Sequence, residues 1–270
     1  MKQRIITGLF LAVVLIPLLF VPKWAFYGVM ALFVLLAVRE LVNMVSESRA
    51  RFFGYVYTGF FALSFYSTIL MAYLGFLSAL YVLVVSVASL IIGTLLVVTN
   101  KINYETLTRY FLSIIYVAIP FFALSMIRQT GLNMLFYLLM LSMLTDIFAY
   151  FVGMRFGKTK LAPVISPKKT VEGFIGGTVI AAAVASVFAF STNLFSLTTG
   201  FEYVFVFFAG WLVAMSAQVG DLFASSMKRV YGIKDFSNLL PGHGGILDRL
   251  DSTMFAGLVL ALVLLLSGGI

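Results

Sequence analysis

From Phe52 to Asn100 the chain runs for 49 residues without one charged side chain. A helix needs roughly 20 consecutive apolar residues, at about 1.5 Å each, to cross the hydrocarbon of a bilayer, so a run of this length makes two crossings. The turn between them is placed at Gly75, in the stretch from Tyr73 to Ser78. The same ruler finds apolar runs at about residues 5–22, 24–44, 52–72, 76–98, 110–127, 133–153, 173–194, 203–225 and 252–268. They predict an all-α, polytopic integral membrane protein with about nine transmembrane helices. With 62% hydrophobic and 10% charged residues, the chain lies far from soluble domains, which carry about 25% charged residues. The basic start and apolar run resemble a secretory signal. That run is about 18 residues long and no small-x-small site follows it, so it is expected to remain as the first span.

Charge is informative here by position. The formal charge of +8 would point to nucleic acid in a soluble protein, but cytoplasmic loops of membrane proteins collect Lys and Arg, and no nucleic-acid partner is expected. With nine spans and the amino terminus inside, 16 of the 18 Lys and Arg fall on the cytoplasmic side, and only Lys23 and Arg128 fall outside. This bias predicts a cytoplasmic amino terminus and an external carboxyl terminus. The absence of Cys excludes disulfides, thiolate chemistry and Cys-based metal sites.

Polarity divides the chain in two. Residues 1–130 hold hardly any polar group within their spans and are expected to serve as scaffold, lipid interface or subunit contact, with homo-oligomerisation left open. Residues 131–270 hold the suggestive groups and two cytoplasmic loops, 154–172 and 226–251. Asp146 lies in the sixth span, about 10 Å before its cytoplasmic end. A packing carboxylate would explain it, and so would a functional one, since a charge in a span is costly without a reason. The stretch Gln218–Ser252 holds four of the five Asp, namely Asp221, Asp235, Asp248 and Asp251, and the only His, His243. Asp248 and Asp251 share one helix face near a helix start, which suits capping as well as catalysis. Carboxylates from three spans thus gather at cytoplasmic helix ends, where they would repel one another without cations between them. Magnesium suits this chemistry because it takes one or two carboxylates, keeps water and binds substrate phosphates. A second cation is also conceivable, whereas a single His and no Cys make zinc improbable.

The first loop, Arg155–Glu172, carries five basic residues and one acidic, a net of +4. Pro163 and Pro167 exclude a continuous helix through it. Its Ser166-Pro-Lys168-Lys169 segment precedes the glycine-rich opening of the seventh span, a setting that favours phosphate. Lys228, Arg229, Lys234 and Arg249 supply cations in the second loop, where the turn Gly242-His243-Gly244-Gly245 suits an anion or a plain tight turn. The second loop nets only +1 from Lys228 to Asp251, so the two loops are expected to serve one site together. Carboxylates, cations and glycine turns at the inner membrane surface describe phosphoryl or nucleotidyl transfer between a cytosolic nucleotide and a lipid. They do not name the nucleotide.

Ser226-Met-Lys228-Arg229, Lys234-Asp235 and Leu240-Pro241-Gly242-His243-Gly244-Gly245-Ile-Leu-Asp248-Arg249-Leu-Asp251 closely resemble the signature of the phosphatidate cytidylyltransferases, also called CDP-diacylglycerol synthases. Gly157–Gly173 and Gln218-Val-Gly-Asp221 look like the same family, so the resemblance covers roughly residues 142–257. It implies transfer of CMP from CTP to phosphatidic acid in the cell (inner) membrane, giving CDP-diacylglycerol and pyrophosphate, with magnesium and an active site facing the cytoplasm. It further implies Asp221 and Asp248 as first metal ligands, with Asp251 and Asp146 second, and Asp221, Asp248 and Lys168 as catalytic. Ser166, Lys168, Lys169, Lys228, Arg229, Lys234 and Arg249 would bind substrate, while His243, Gly244 and Gly245 would shape the nucleotide pocket. The alternative from another class is an ion-coupled transporter, which accounts for Asp146 but not for the crowding of polar residues at one membrane face.

Overall fold

Hydrocarbon offers no partner to a peptide N–H or C=O, so a chain of this composition has to satisfy its backbone within each crossing, and helices do so. The computed structural model describes residues 17, 19–46, 50–68, 78–195 and 200–267. These form α1 (Lys23–Val45), α2 (Arg51–Tyr66), α3 (Ser78–Val98), α4 (Tyr104–Thr130), α5 (Leu132–Phe156), α6 (Val171–Ser191), α7 (Gly200–Val230) and α8 (Leu247–Leu266), with a hairpin of β1 (Lys160–Ala162) and β2 (Ser166–Thr170) between α5 and α6. Seven of the helices are long and apolar enough to cross a membrane, and α2, at 16 residues, falls short of that length. The chain is an all-α integral membrane protein but for that hairpin. Most of the expected first span and the turn at Gly75 lie outside the described residues.

Several helices overrun the apolar runs that predicted them, because a helix ends where its backbone is capped and not where hydrocarbon ends. The Asn103 side chain accepts from Thr106 N at 2.7 Å, which starts α4 at Tyr104. The last turn of α7 carries Lys228 and Arg229, where cations favour the helix dipole, and α8 starts at Leu247 with Asp248 in its first turn.

The chain parts into two units, one of Met1–Ser125 with Asp235–Asp248, the other of Met126–Lys234 with Arg249–Ile270. In the first, α1 packs on α2, and α2 on α3. Three buried phenols there donate to backbone carbonyls, as a polar tip in an apolar core favours. Tyr66 Oη donates to Tyr27 O at 3.1 Å, Tyr57 Oη to Ser89 O at 3.0 Å and Tyr110 Oη to Ala50 O at 3.1 Å.

In the second unit α5, α6 and α7 pack on one another, most extensively α5 on α6. Small residues make that approach close: a side chain at Gly173 would meet Ala149 O at 2.6 Å, and one at Gly177 would meet Ala149 N at 2.7 Å. Trp211 Nε1 donates to Thr178 Oγ1 at 3.1 Å and Gln218 Nε2 to Phe174 O at 3.0 Å, which joins α7 to α6. Gly220 lets α7 lie against α8 at Asp251 O and Phe255, while Ser142 and Thr253 share a hydrogen bond of 3.0 Å between α5 and α8.

This packing predicts that Gly177→Val, which drives its branched side chain into the α5 backbone, costs about 1–3 kcal/mol or more. Thermal unfolding in detergent checks it, with Gly28→Ala as the neutral control, since nothing lies within 4 Å of a side chain there.

Candidate active site

The hairpin sorts two adjacent lysines. Successive side chains of a strand point to opposite faces, so Lys168 and Lys169 in β2 cannot both face the helices. Lys168 is exposed, whereas Lys169 Nζ lies 2.6 Å from Asp221 Oδ2 of α7. The hairpin is fixed at its base. Thr170 caps α6 by accepting from Gly173 N at 3.2 Å, and the Glu172 carboxylate accepts from the backbone N–H of Lys158 and Thr159 at 3.0 and 3.1 Å. Arg229, in the last turn of α7, donates through Nε to Ile165 O in the hairpin turn at 3.3 Å.

Around that ion pair the second unit gathers further buried or part-buried polar groups. Asp221 Oδ1 accepts from Ser225 Oγ at 3.3 Å. Ser252 Oγ in α8 donates to Asp146 Oδ2 of α5 at 3.3 Å, and Ser252 N donates to Asp251 Oδ1 at 2.7 Å. Asp146, Asp221 and Asp251 lie near enough to act on one another electrostatically, together with Lys169 and Lys228. Lys228 and Asp251 are buried and Asp146 keeps an exposed surface. Three carboxylates against two ammonium groups leave a formal charge of −1, an arrangement that a cation completes. Among the described residues no three His, Asp or Glu converge closely enough to hold a metal by themselves. Magnesium needs only one or two carboxylates beside water and phosphate oxygens, and Asp221 with Asp251 or Asp146 fits that demand. Lys169 Nζ is buried and has no hydrogen-bond partner among the described residues beyond its ion pair, so its remaining donors suit phosphate.

In the first unit, the loop from Asp235 to Asp248 carries His243, Gly244, Gly245 and Asp248. Gly242 and Gly244 adopt φ of 77° and 79°, the left-handed region that glycine tolerates, and Leu240 N donates to Gly244 O at 2.9 Å to close the turn. His243 is half-buried, and its Nδ1 meets no partner among the described residues. Asp248 Oδ2 accepts from Phe236 N at 2.8 Å and Gly245 N at 2.9 Å, so this carboxylate ties the two ends of the loop together. In the second unit, Lys234 and Arg249 are exposed, and Ser166 in β2 is half-buried.

One residue escaped the sequence reading. Glu40, in α1, is 3% exposed and accepts from Ser237 Oγ, Ile246 N and Leu247 N of the same loop at 2.7, 2.8 and 2.9 Å. Its signal was present, since a lone carboxylate near the end of the second apolar run carries the burial cost that singled out Asp146. A cavity of about 800 Å³ opens at the other end of the second unit, between the starts of α5 and α7 and the ends of α6 and α8. It is lined by Thr130, Asn133, Asn193, Glu202 and Ser267 among others, with no Lys or Arg to meet a phosphate.

The model of the cytidylyltransferase family matches residues 2–267. The chain is 37% identical over 264 residues to a phosphatidate cytidylyltransferase of Bacillus subtilis (strain 168), with 94% of each chain covered. It is 33% identical over 257 residues to one of Staphylococcus haemolyticus (strain JCSC1435), covering 94% of this chain and 95% of the relative. To one of Staphylococcus aureus (strain COL) it is 32% identical over 277 residues, covering 99% and 100%.

The geometry around Asp221 predicts that Lys169→Met destabilises the fold more than Lys168→Met. The side chains of the pair keep 20% and 28% exposure, so the penalty of a fully buried pair is reduced to about 1–2 kcal/mol. Unfolding midpoints of the two variants check the order, and equal midpoints would remove the special place given to Lys169.

Proposed function

The chain belongs to the cytidylyltransferase family, and we infer from that membership that it transfers CMP from CTP to phosphatidic acid, yielding CDP-diacylglycerol and pyrophosphate for phospholipid synthesis. It is a nucleotidyltransferase. The observation that carries the reading to particular residues is the cluster of Asp146, Asp221 and Asp251 with Lys169 and Lys228 at one end of the second unit. Nothing in the fold or among the relatives favours a transporter.

The reaction asks little covalent chemistry of the protein. The phosphate of phosphatidic acid is mostly ionised at neutral pH and is already a nucleophile, so no general base is required. One of its oxygens bonds to the α-phosphorus of CTP as the bond to the α–β bridging oxygen breaks, and pyrophosphate leaves with that electron pair. Lys169 and Lys228 would meet the charge on phosphate oxygens, with Lys169 drawn from Asp221 towards the substrate. Arg229 keeps the hairpin turn seated while Lys168 and Ser166 line the approach. Asp221 with either Asp251 or Asp146 would hold magnesium, which when bound offsets the negative charge of the triphosphate. Asp248 is proposed as a ligand from its motif, and the two amides on Oδ2 orient it as a ligating carboxylate needs. His243, Gly244 and Gly245 are assigned to the nucleotide on the same ground.

The bias of 16 basic residues against two supports nine spans with the amino terminus inside, the carboxyl terminus outside and the site facing the cytoplasm of the cell membrane. CTP would then arrive from the cytosol and phosphatidic acid from the bilayer.

Purified protein in mixed micelles with phosphatidic acid, CTP and magnesium is expected to form CDP-diacylglycerol. Asp221→Asn and Lys169→Met should each lower turnover by about 100-fold or more while the protein stays folded. Lys101→Ala, which removes a cation over the Phe53 ring, should leave turnover unchanged. Near-normal turnover in Asp221→Asn would sink the assignment of the cluster.

A further inference from the structure

Glu40 lies in α1, some 200 residues before the loop that it holds: it is 206 residues from Ile246 and 207 from Leu247. Its Oε1 accepts from Ser237 Oγ and Ile246 N, and its Oε2 from Leu247 N. The two amides are the leading N–H groups of α8, which a helix start leaves without partners of its own. A carboxylate from another helix therefore serves as the cap. Asp248 does the complementary work from within the loop, drawing Phe236 N and Gly245 N together. Between them the two carboxylates fasten Phe236 and Ser237 at one end and Gly245, Ile246 and Leu247 at the other. The residues left to project from this clamp are 238–244, the segment of Pro241, Gly242, His243 and Gly244.

Gly245 shows how closely the clamp is built. Any side chain there would strike both oxygens and the carboxyl carbon of Glu40. Beside the clamp, Leu36, Arg39, Glu40, Asn43, Ser237, Asn238 and Leu239 border a recess of about 280 Å³, so packing elsewhere does not fill the ground under the loop. The loop is seated by directed hydrogen bonds on a buried carboxylate.

We propose that Glu40 is a positioning residue for the nucleotide-handling loop, setting the conformation of residues 237–247 so that the projecting His243 and Gly244 meet the nucleotide. The kinetic side of this proposal rests on the assignment of that loop to CTP. Its structural side does not.

The test has two arms on the full-length protein in micelles. In the first, hydrogen exchange reads the amides of Ile246 and Leu247. Glu40→Ala should abolish their protection while the Gly173 amide, capped by Thr170, keeps its own. In the second, Glu40→Ala should lower kcat/KM for CTP by roughly tenfold to 100-fold, mainly through KM, with KM for phosphatidic acid within about twofold of the parent. Glu40→Gln keeps an acceptor for Ser237 and Ile246 and loses the one for Leu247, so it should recover part of the loss. Gly245→Ala should mimic Glu40→Ala, and the two together should cost less than the sum of each, as residues acting through one contact do. If Glu40→Ala fails to fold, Glu40→Gln and Ser237→Ala carry both arms. Glu105→Gln, in an exposed pair with Arg109, serves as the unaffected control.

Unchanged exchange at Ile246 and Leu247, equal losses for both substrates, or additive effects of Glu40→Ala and Gly245→Ala would each overturn the proposal. Should the parent protein transfer nothing from CTP, the transfer reading falls, and the exchange arm alone decides the clamp.

Discussion

The contact between Lys169 and Asp221 is the interaction on which the proposed site of the second unit depends. Removing an ammonium or a carboxylate from water costs several kcal/mol, which a single counter-ion offsets only when the geometry is good and the remaining charges are balanced. Here one ion pair of 2.6 Å sits amid two more carboxylates and one more lysine, with hydroxyls from Ser225 and Ser252 on the acidic side. Such a group is poor as glue, since apolar side chains would pack α5, α7 and α8 at less cost. Such charge has the chemistry that phosphate and a hard cation would need, which is the role proposed for it. The glycines that bring α6 against α5, and α7 against α8, make sense in the same terms, because they let these helix ends come close enough for short side chains to act together.

Much of this was legible in the sequence. The length of the apolar runs located every helix among the described residues, because the thickness of hydrocarbon is a ruler that the chain has to obey. Asp221, Ser225 and Lys228 stand at i, i+4 and i+7, a spacing that the pitch of a helix places on one face. Of the four Asp expected at the site, Asp146, Asp221 and Asp251 lie within electrostatic reach of one another, though no three acidic groups among the described residues converge closely enough to hold a metal by themselves. Helix ends were less legible: α4 begins six residues before its apolar run because Asn103 caps it, and capping is a local contact that hydropathy does not register.

The short hairpin was harder still. Pro163 and Pro167 excluded a helix through the first loop, but nothing in five polar and apolar residues announces a strand, and only the strand decides that Lys169 and not Lys168 faces the carboxylates. Glu40 was missed for a different reason. The first five spans hold so few polar groups that one buried acid among them vanishes into the average. The second unit's chemistry draws on a half of the chain where polar groups are dense, whereas the cap on α8 joins residues some 200 positions apart, a separation that no local pattern carries.

The central claim is that the cluster serves transfer of a nucleotidyl group, and not of a terminal phosphoryl group, to a membrane lipid. The most direct measurement follows label from CTP marked at the α- or the γ-phosphate into lipid and pyrophosphate, in the parent protein and in Asp221→Asn. The account predicts α-label in the lipid, γ-label in pyrophosphate in equal amount, and loss of both together in the variant. Label from the γ-phosphate in the lipid, or pyrophosphate released without α-label entering it, would contradict the account.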